Sequence, residues 1–239
     1  MKLQAYFTPA EVKATDLTGR VAVVIDVLRA TSTMIEALAN GARTIFPVAT
    51  IDEAVRLGQN LDRTATLLCG ERKSVRIEGF DLGNSPFEFT DDAVAGKALV
   101  MSTTNGTRAV LCAADARRAL VASLLNLDAV AQAVAEDGGD VAIICAGREQ
   151  RFALEDAVCA GLIAERVRRL VAQPVRRNDA AAVAVLLARR YERALLRMLR
   201  GTAAGRQLVD AGLGEDLALC ADIDRHRIVP ELHDREISI

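Results

Sequence analysis

The apolar run Val21 to Val27 is broken by one carboxylate, Asp26, and leads into Leu28-Arg29-Ala30-Thr31-Ser32-Thr33. A strand that delivers an aspartate to its end, an arginine beside it and hydroxyls where a helix opens are the parts of an anion site. Free N–H groups at a helix start favour negative charge, and a guanidinium adds charge-assisted hydrogen bonds. Helix capping alone accounts for one hydroxyl of Thr31 and Ser32, not for Asp26 and Arg29 together. A second segment, Ser102-Thr103-Thr104-Asn105-Gly106-Thr107-Arg108, again follows an apolar run and precedes an apolar helix pattern. Thr103, Thr104 and Asn105 offer hydroxyl and amide donors to a phosphate, and Gly106 permits close approach of the backbone. The Walker pattern of glycines followed by Lys-Ser/Thr is absent, which argues against a P-loop nucleotide enzyme. The third segment runs from Ile143-Ile144-Cys145-Ala146-Gly147 through Arg148 to Glu155-Asp156, where a long helix opens. Neighbouring residues diverge by about 100° on a helix, so one of Glu155 and Asp156 is expected to face the site squarely. Cys145 reads as a core thiol at a strand end.

The elements that must position these residues alternate through the first two thirds of the chain. Short apolar runs at Val21 to Val27, Thr44 to Val48, Ala65 to Cys69, Ala98 to Met101, Ala119 to Ala122 and Val141 to Cys145 read as buried strands, with a further one at Leu3 to Phe7. Helical patterns lie between them at Ser32 to Asn40, Ile51 to Asn60, Gly106 to Ala113, Leu127 to Glu136 and Phe152 to Val171. The expected fold is α/β, with a mainly parallel sheet covered on both faces. The expected organisation is one domain over residues 1–239, with a helical C-terminal part (175–225) forming a lid or subdomain. There Asn178 to Leu199 and Thr202 to Ala221 read as helices, and Arg227 to Pro230 as extended. In a parallel sheet the three segments would converge outside the carboxyl ends of the strands. The stretch Gly70 to Thr90 holds three of the chain's eight aromatics (Phe80, Phe87, Phe89) and reads as an ordered functional loop.

Composition narrows the chemistry. Among 239 residues there are two histidines, His226 and His233, both outside these segments, and no tryptophan. A His-rich zinc site and an aromatic platform for single-stranded nucleic acid are therefore excluded. The net charge of −2 gives no basic field for nucleic acid, and no apolar run reaches the length of a membrane span. Five widely spaced cysteines read as reduced thiols of a cytoplasmic protein. What remains is a gathering of carboxylates, namely Asp26, Glu71, Asp81, Glu155 and Asp156, with arginines and neutral donors. That mixture suits Mg2+, which takes oxygen ligands and is held by one or two carboxylates plus substrate phosphate. The reaction expected is phosphoryl chemistry on a small, multiply charged anion.

Asp26-Val-Leu-Arg-Ala-Thr-Ser-Thr, Gly79-Phe-Asp-Leu-Gly-Asn-Ser-Pro-Phe-Glu88, Ser102-Thr-Thr-Asn-Gly-Thr107 and Leu154-Glu-Asp156 closely resemble the 2-phosphosulfolactate phosphatase family, in family order and over nearly the whole chain. The resemblance implies a three-layer α/β/α fold and a magnesium-dependent phosphatase that hydrolyses 2-phospho-3-sulfolactate in coenzyme M biosynthesis. Carried onto this sequence, it gives Asp26, Arg29 and Asn105 catalytic roles. Asp26, Glu71, Asp81 and Glu155 or Asp156 become the metal ligands. Thr31, Ser32, Thr103 and Thr104 would hold the phosphate, and Asn84 and Ser85 would clamp the substrate. Arg72, Arg108 or Arg148 would meet its carboxylate or sulfonate. The family pattern Ser-x-His-Gly is replaced by Thr202-Ala-Ala-Gly205, so Ala204 stands where an imidazole is expected. The partner implied is a small anionic phosphate ester, with no nucleic acid and no membrane. An apolar face on the C-terminal helices would suit a homodimer.

Overall fold

The computed structural model describes residues 1–239. Its strands are β1 (Lys2–Tyr6), β2 (Val21–Ile25), β3 (Thr44–Pro47), β4 (Thr66–Arg72), β5 (Val75–Arg76), β6 (Ala98–Ser102), β7 (Arg118–Ala122), β8 (Val141–Cys145), β9 (Arg176–Arg177), β10 (Glu231–His233) and β11 (Glu236–Ser238). Its α-helices are α1 (Ala14–Leu17), α2 (Ala30–Ala39), α3 (Ile51–Asn60), α4 (Asp91–Val94), α5 (Gly106–Cys112), α6 (Leu127–Asp137), α7 (Leu154–Leu170), α8 (Asp179–Tyr191), α9 (Leu195–Gly201), α10 (Ala203–Asp210) and α11 (Asp216–Cys220).

All strands join one sheet in the order β5-β4-β6-β3-β11-β10-β7-β2-β8-β1-β9. The parallel pairings fall in two blocks, β4-β6-β3 and β7-β2-β8-β1-β9. Between the blocks sits the β10–β11 hairpin, antiparallel to β7 on one side and to β3 on the other. Three antiparallel steps in succession give the two blocks opposite directions. The sequence predicts the parallel strands apart from the two-residue β9, and misses this hairpin: it places extended chain at Arg227 to Pro230, whereas the strand starts at Glu231. Three-residue strands carry too little alternation to be read as such.

Side-chain alternation explains why both faces are covered. Val21, Val23 and Ile25 of β2, with Val141, Ile143 and Cys145 of β8, pack into one core with α6, α7 and α8. Ala22, Val24, Ala142 and Ile144 point the other way, into a core with α2 and α5. The result is a three-layer α/β/α arrangement. The C-terminal helices share the first core through Leu195, Met198, Leu199, Leu208 and Leu217. Each of the two long helices expected there is broken in two. A turn at Glu192–Ala194 lets Leu195, Met198 and Leu199 reach the core, and Gly212, at φ +77°, ends the second run. No helix is long and apolar enough to cross a membrane.

Candidate active site

The end of β2 is tied off by its own side chains. Asp26 Oδ1 accepts from the Ala30 N–H at 3.3 Å, so this carboxylate caps the start of α2. Thr31 Oγ1 accepts from Asp26 N–H at 2.8 Å and donates to Asp26 C=O at 2.9 Å, and Ser32 Oγ donates to Val27 C=O at 2.9 Å. Both hydroxyls are fully buried and absent from the cleft wall, so the expectation that Thr31 and Ser32 hold phosphate is corrected. They staple the strand-to-helix turn instead. Arg29, joined to Leu28 by a cis peptide bond, lies on the wall with its Nη1 donating to Asp216 Oδ2 at 2.6 Å.

Glu71, at the end of β4, is held from two sides. Its Oε1 accepts from Thr104 N–H and Oγ1, both at 2.9 Å, and its Oε2 accepts from Ser74 N–H at 2.8 Å. Asn105 Oδ1 accepts from Glu149 N–H at 3.1 Å, which joins the β6 end to the loop after β8. Gly106 closes the third joint: a Cβ there would run into Ala30 Cβ and lie 2.7 Å from Asp26 Oδ2. These contacts, rather than a common strand direction, bring the ends of β2, β4, β6 and β8 to one place.

They enclose a cleft of about 340 Å3. Its wall includes Asp26, Glu71 and Glu155, the cations Arg29, Lys73 and Arg148, and Asn84, Thr103, Thr104 and Asn105; Leu28, Ala204 and Leu208 are its apolar side chains. Asp156 points into the frame, accepting from Val27 N–H at 2.9 Å and Gly147 N–H at 3.0 Å, while its neighbour Glu155 faces the cleft. Several expected residues lie elsewhere. Asp81 is bonded to Arg63 and to Leu68 N–H, outside the cleft. Arg72 clamps Ser102 through its C=O and Oγ, Arg108 is exposed beyond the wall, and Ser85 Oγ donates to Asp216 at 2.7 Å. Lys73, Ser74, Glu149 and Gln207 are cleft residues that the sequence reading passed over. Lys73-Ser74 and Glu149-Gln150 form the tips of two tight turns at positive φ, built without the usual Gly or Asn signal. Gln207 bridges these tips, accepting from Arg148 Nη2 at 2.5 Å and donating to Ser74 Oγ at 3.0 Å. Its signal was the spacing Ala204, Gln207, Leu208 on one helix face.

Burial pushes the Asp26 carboxyl up to about 7, with Glu71 and Glu155 adding to the rise and Ala30 N–H and Arg29 opposing it. Burial likewise raises Glu155, against its hydrogen bonds and Arg148. Asp156 is raised well above the ordinary range by burial, then by Asp26 and Glu155. Asn84 Oδ1 is buried with no hydrogen-bond partner. Crowded buried carboxylates and an orphaned amide oxygen form an all-oxygen donor set, which fits a hard divalent cation. No three acidic, imidazole or thiol side chains close into a preformed cage. Such an ion would therefore be completed by substrate oxygens or water. The thiols offer no nucleophile: burial pushes Cys145 well above its ordinary value and Cys220 up to about 12.

Fold and cleft together define an α/β enzyme built to handle a small polyanion. A family model described as 2-phosphosulpholactate phosphatase matches residues 6–235. The chain is 45% identical, over 94% of its length and 96% of the relative's, to a protein of Symbiobacterium thermophilum named a probable 2-phosphosulfolactate phosphatase. Proteins of the same name from Caldanaerobacter subterraneus subsp. tengcongensis and Clostridium acetobutylicum are 40% and 36% identical over 97% and 99% of the chain, and over 95% and 100% of their own lengths. The chain belongs to the 2-phosphosulpholactate phosphatase family and is thus a phosphoric monoester hydrolase.

Proposed function

We propose that this chain hydrolyses 2-phospho-3-sulfolactate to 3-sulfolactate and inorganic phosphate with Mg2+ as cofactor, the reaction of coenzyme M biosynthesis, in the cytoplasm. The observation that carries the reading is the pairing of two charge sets in one cleft: Asp26, Glu71, Glu149 and Glu155 against Arg29, Lys73 and Arg148. Carboxylates would repel a trianionic or tetra-anionic ester unless a cation stood between them, and Lys73 and Arg148, which form no salt bridge, would be idle without an anion to meet. Asp26, Glu71 and Glu155, with Asn84 Oδ1, are the groups that would hold Mg2+. When bound, the ion would neutralise phosphate oxygens and polarise the reacting centre.

The protein's own groups then divide the work. Arg29 keeps donors free beyond the one given to Asp216 and stabilises charge spreading over the phosphoryl oxygens in the transition state. Asn105 uses its Oδ1 on Glu149 N–H, which leaves Nδ2 available as a donor to the substrate. Thr103 lines the wall as a donor to the phosphate, while Thr104, beside it, spends its N–H and Oγ1 on Glu71 and so positions that carboxylate. Lys73 and Arg148 line the same cleft without a salt-bridge partner, and they are suited to the carboxylate and sulfonate. Water supplies the hydroxyl that joins phosphorus as the P–O bond to the sulfolactate oxygen breaks, and that oxygen takes up a proton.

The test is phosphate release from phosphosulfolactate, phospholactate and a chromogenic phosphate ester, with Mg2+ and with chelator. Metal-dependent turnover that favours phosphosulfolactate by at least about tenfold is expected. Preference for phospholactate would move the assignment to another small phosphorylated acid, a change that would suit the absence of an imidazole donor at Ala204. Turnover unaffected by chelator would remove the metal.

A further inference from the structure

One buried carboxylate touches the site without lining it. Asp216, at the start of α11, is 2% exposed, and each of its oxygens is committed: Oδ2 to Arg29 Nη1 at 2.6 Å, Oδ1 to Ser85 Oγ at 2.7 Å. Arg29 is itself only 4% exposed, and Asp216 is the carboxylate with which it forms an ion pair. The other nearby anion is Asp26, whose ionisation Arg29 favours. A guanidinium released from Asp216 would lie buried with one charge, and its nearest compensation would be the Asp26 carboxylate. The second arm matters equally. Ser85 follows Asn84, whose C=O accepts from Thr33 Oγ1 at 2.9 Å and whose Oδ1 is buried without a partner. Thr33 thus holds the Asn84 carbonyl and Asp216 the Ser85 hydroxyl, two anchors on the chain that leads directly out of Asn84.

We infer that Asp216 is a positioning residue for the phosphatase reaction. From the C-terminal helical layer it holds Arg29 off Asp26 and sets Asn84 against the cleft. The inference rests on the reading above that Arg29 meets the phosphoryl group. A structural ion pair alone would not carry it, because buried pairs are often replaceable at little cost to stability. What distinguishes this pair is that both its partners bear on cleft residues drawn from different loops.

The experiment uses the full chain with Mg2+, a chromogenic phosphate ester as substrate and orthovanadate as a transition-state mimic whose binding is followed by calorimetry. Asp216→Asn keeps size and removes charge. It is expected to lower kcat about tenfold or more while KM changes less than about threefold, and to weaken vanadate in proportion. In an Arg29→Ala background the same exchange is expected to cost less than about twofold, since an amide oxygen can still accept from Ser85 Oγ and the lost charge acts through Arg29, which is gone. Asp216→Glu keeps charge and pair but displaces the guanidinium, and is expected to weaken vanadate as well. It decides the matter if Asp216→Asn does not fold. Wild-type kcat and vanadate affinity in the folded variants would overturn the inference, as would an equal loss with and without Arg29. A wild-type chain that cleaves the chromogenic ester but not phosphosulfolactate sinks the substrate assignment and leaves the role of Asp216 standing.

Discussion

At the scale of single residues, Asp26 is under opposed demands. Ala30 N–H and Arg29 favour its anion, while burial, Glu71 and Glu155 disfavour it more strongly and hold its pKa at about 7 against an ordinary 3.8. The sign of the linkage follows. Between those values the folded state binds a proton that the unfolded chain releases, so the stabilisation is complete below about 4 and is lost as pH rises through about 7. Thermal melts of metal-free protein are therefore expected to fall from pH 5 to pH 8, and Asp26→Asn to flatten that slope. A melting temperature that rises over this range would contradict the assignment. In turnover, Asp26→Asn is expected to cost at least about a hundredfold in kcat and to abolish the Mg2+ response. Asp26, Arg29 and Asn84 were legible from sequence because a strand end or a Gly-rich loop fixes where they sit. Thr31 and Ser32 were not. A buried hydroxyl chooses between ligand and backbone by which acceptor lies within reach, and here Asp26 C=O and Val27 C=O do.

At the scale of elements, the strand-to-helix turns act as joints, and substitutions there separate frame from chemistry. Ser32→Ala removes a buried bond to Val27 C=O and is expected to cost about 1 kcal/mol of stability with KM little changed, as read by denaturant titration and steady-state kinetics. A large rise in KM would return Ser32 to the phosphate site. Gly106→Ala is the converse case. The added methyl meets Ala30 Cβ and crowds Asp26 Oδ2, so α5 must back away from α2 at a cost of about 1–3 kcal/mol. Activity is expected to fall further than stability, because Asp26 and Asn105 flank the joint. The periodicity located the parallel strands, β9 excepted, and α2, α3, α5, α6 and α7 to within a few residues. It merged α8 with α9 and α10 with α11, because an apolar pattern continues across a change of direction. The two turn tips carrying Lys73 and Glu149 escaped notice for want of a turn residue.

At the scale of the whole molecule, the segment after α11 ties the two halves together. Glu36 of α2 accepts from Arg225 Nε at 3.1 Å and lies 2.7 Å from His226 Nε2. Burial alone would raise Glu36, but His226 and Arg225 outweigh it and leave its pKa lowered. A depressed carboxyl contributes stability above its unfolded value, near 4.5, and loses it as pH falls through the folded one. Glu36→Gln is expected to make unfolding less acid-sensitive below pH 4.5, measured as the pH dependence of the denaturant midpoint; an unchanged acid limb would refute the pairing. Beyond this tie, the β10–β11 hairpin is the seam between two sheets of opposite sense, with Leu232 and Ile237 buried in its centre. No periodicity in either parallel block announces it, since the hairpin's partners in those blocks, Leu120 and Ile45, lie more than a hundred positions upstream. The order of synthesis gives this seam its consequence. Every other strand leaves the ribosome first, so β3 and β7 must wait side by side with bare edges until the hairpin arrives, and the nascent chain is exposed to mispairing over that interval.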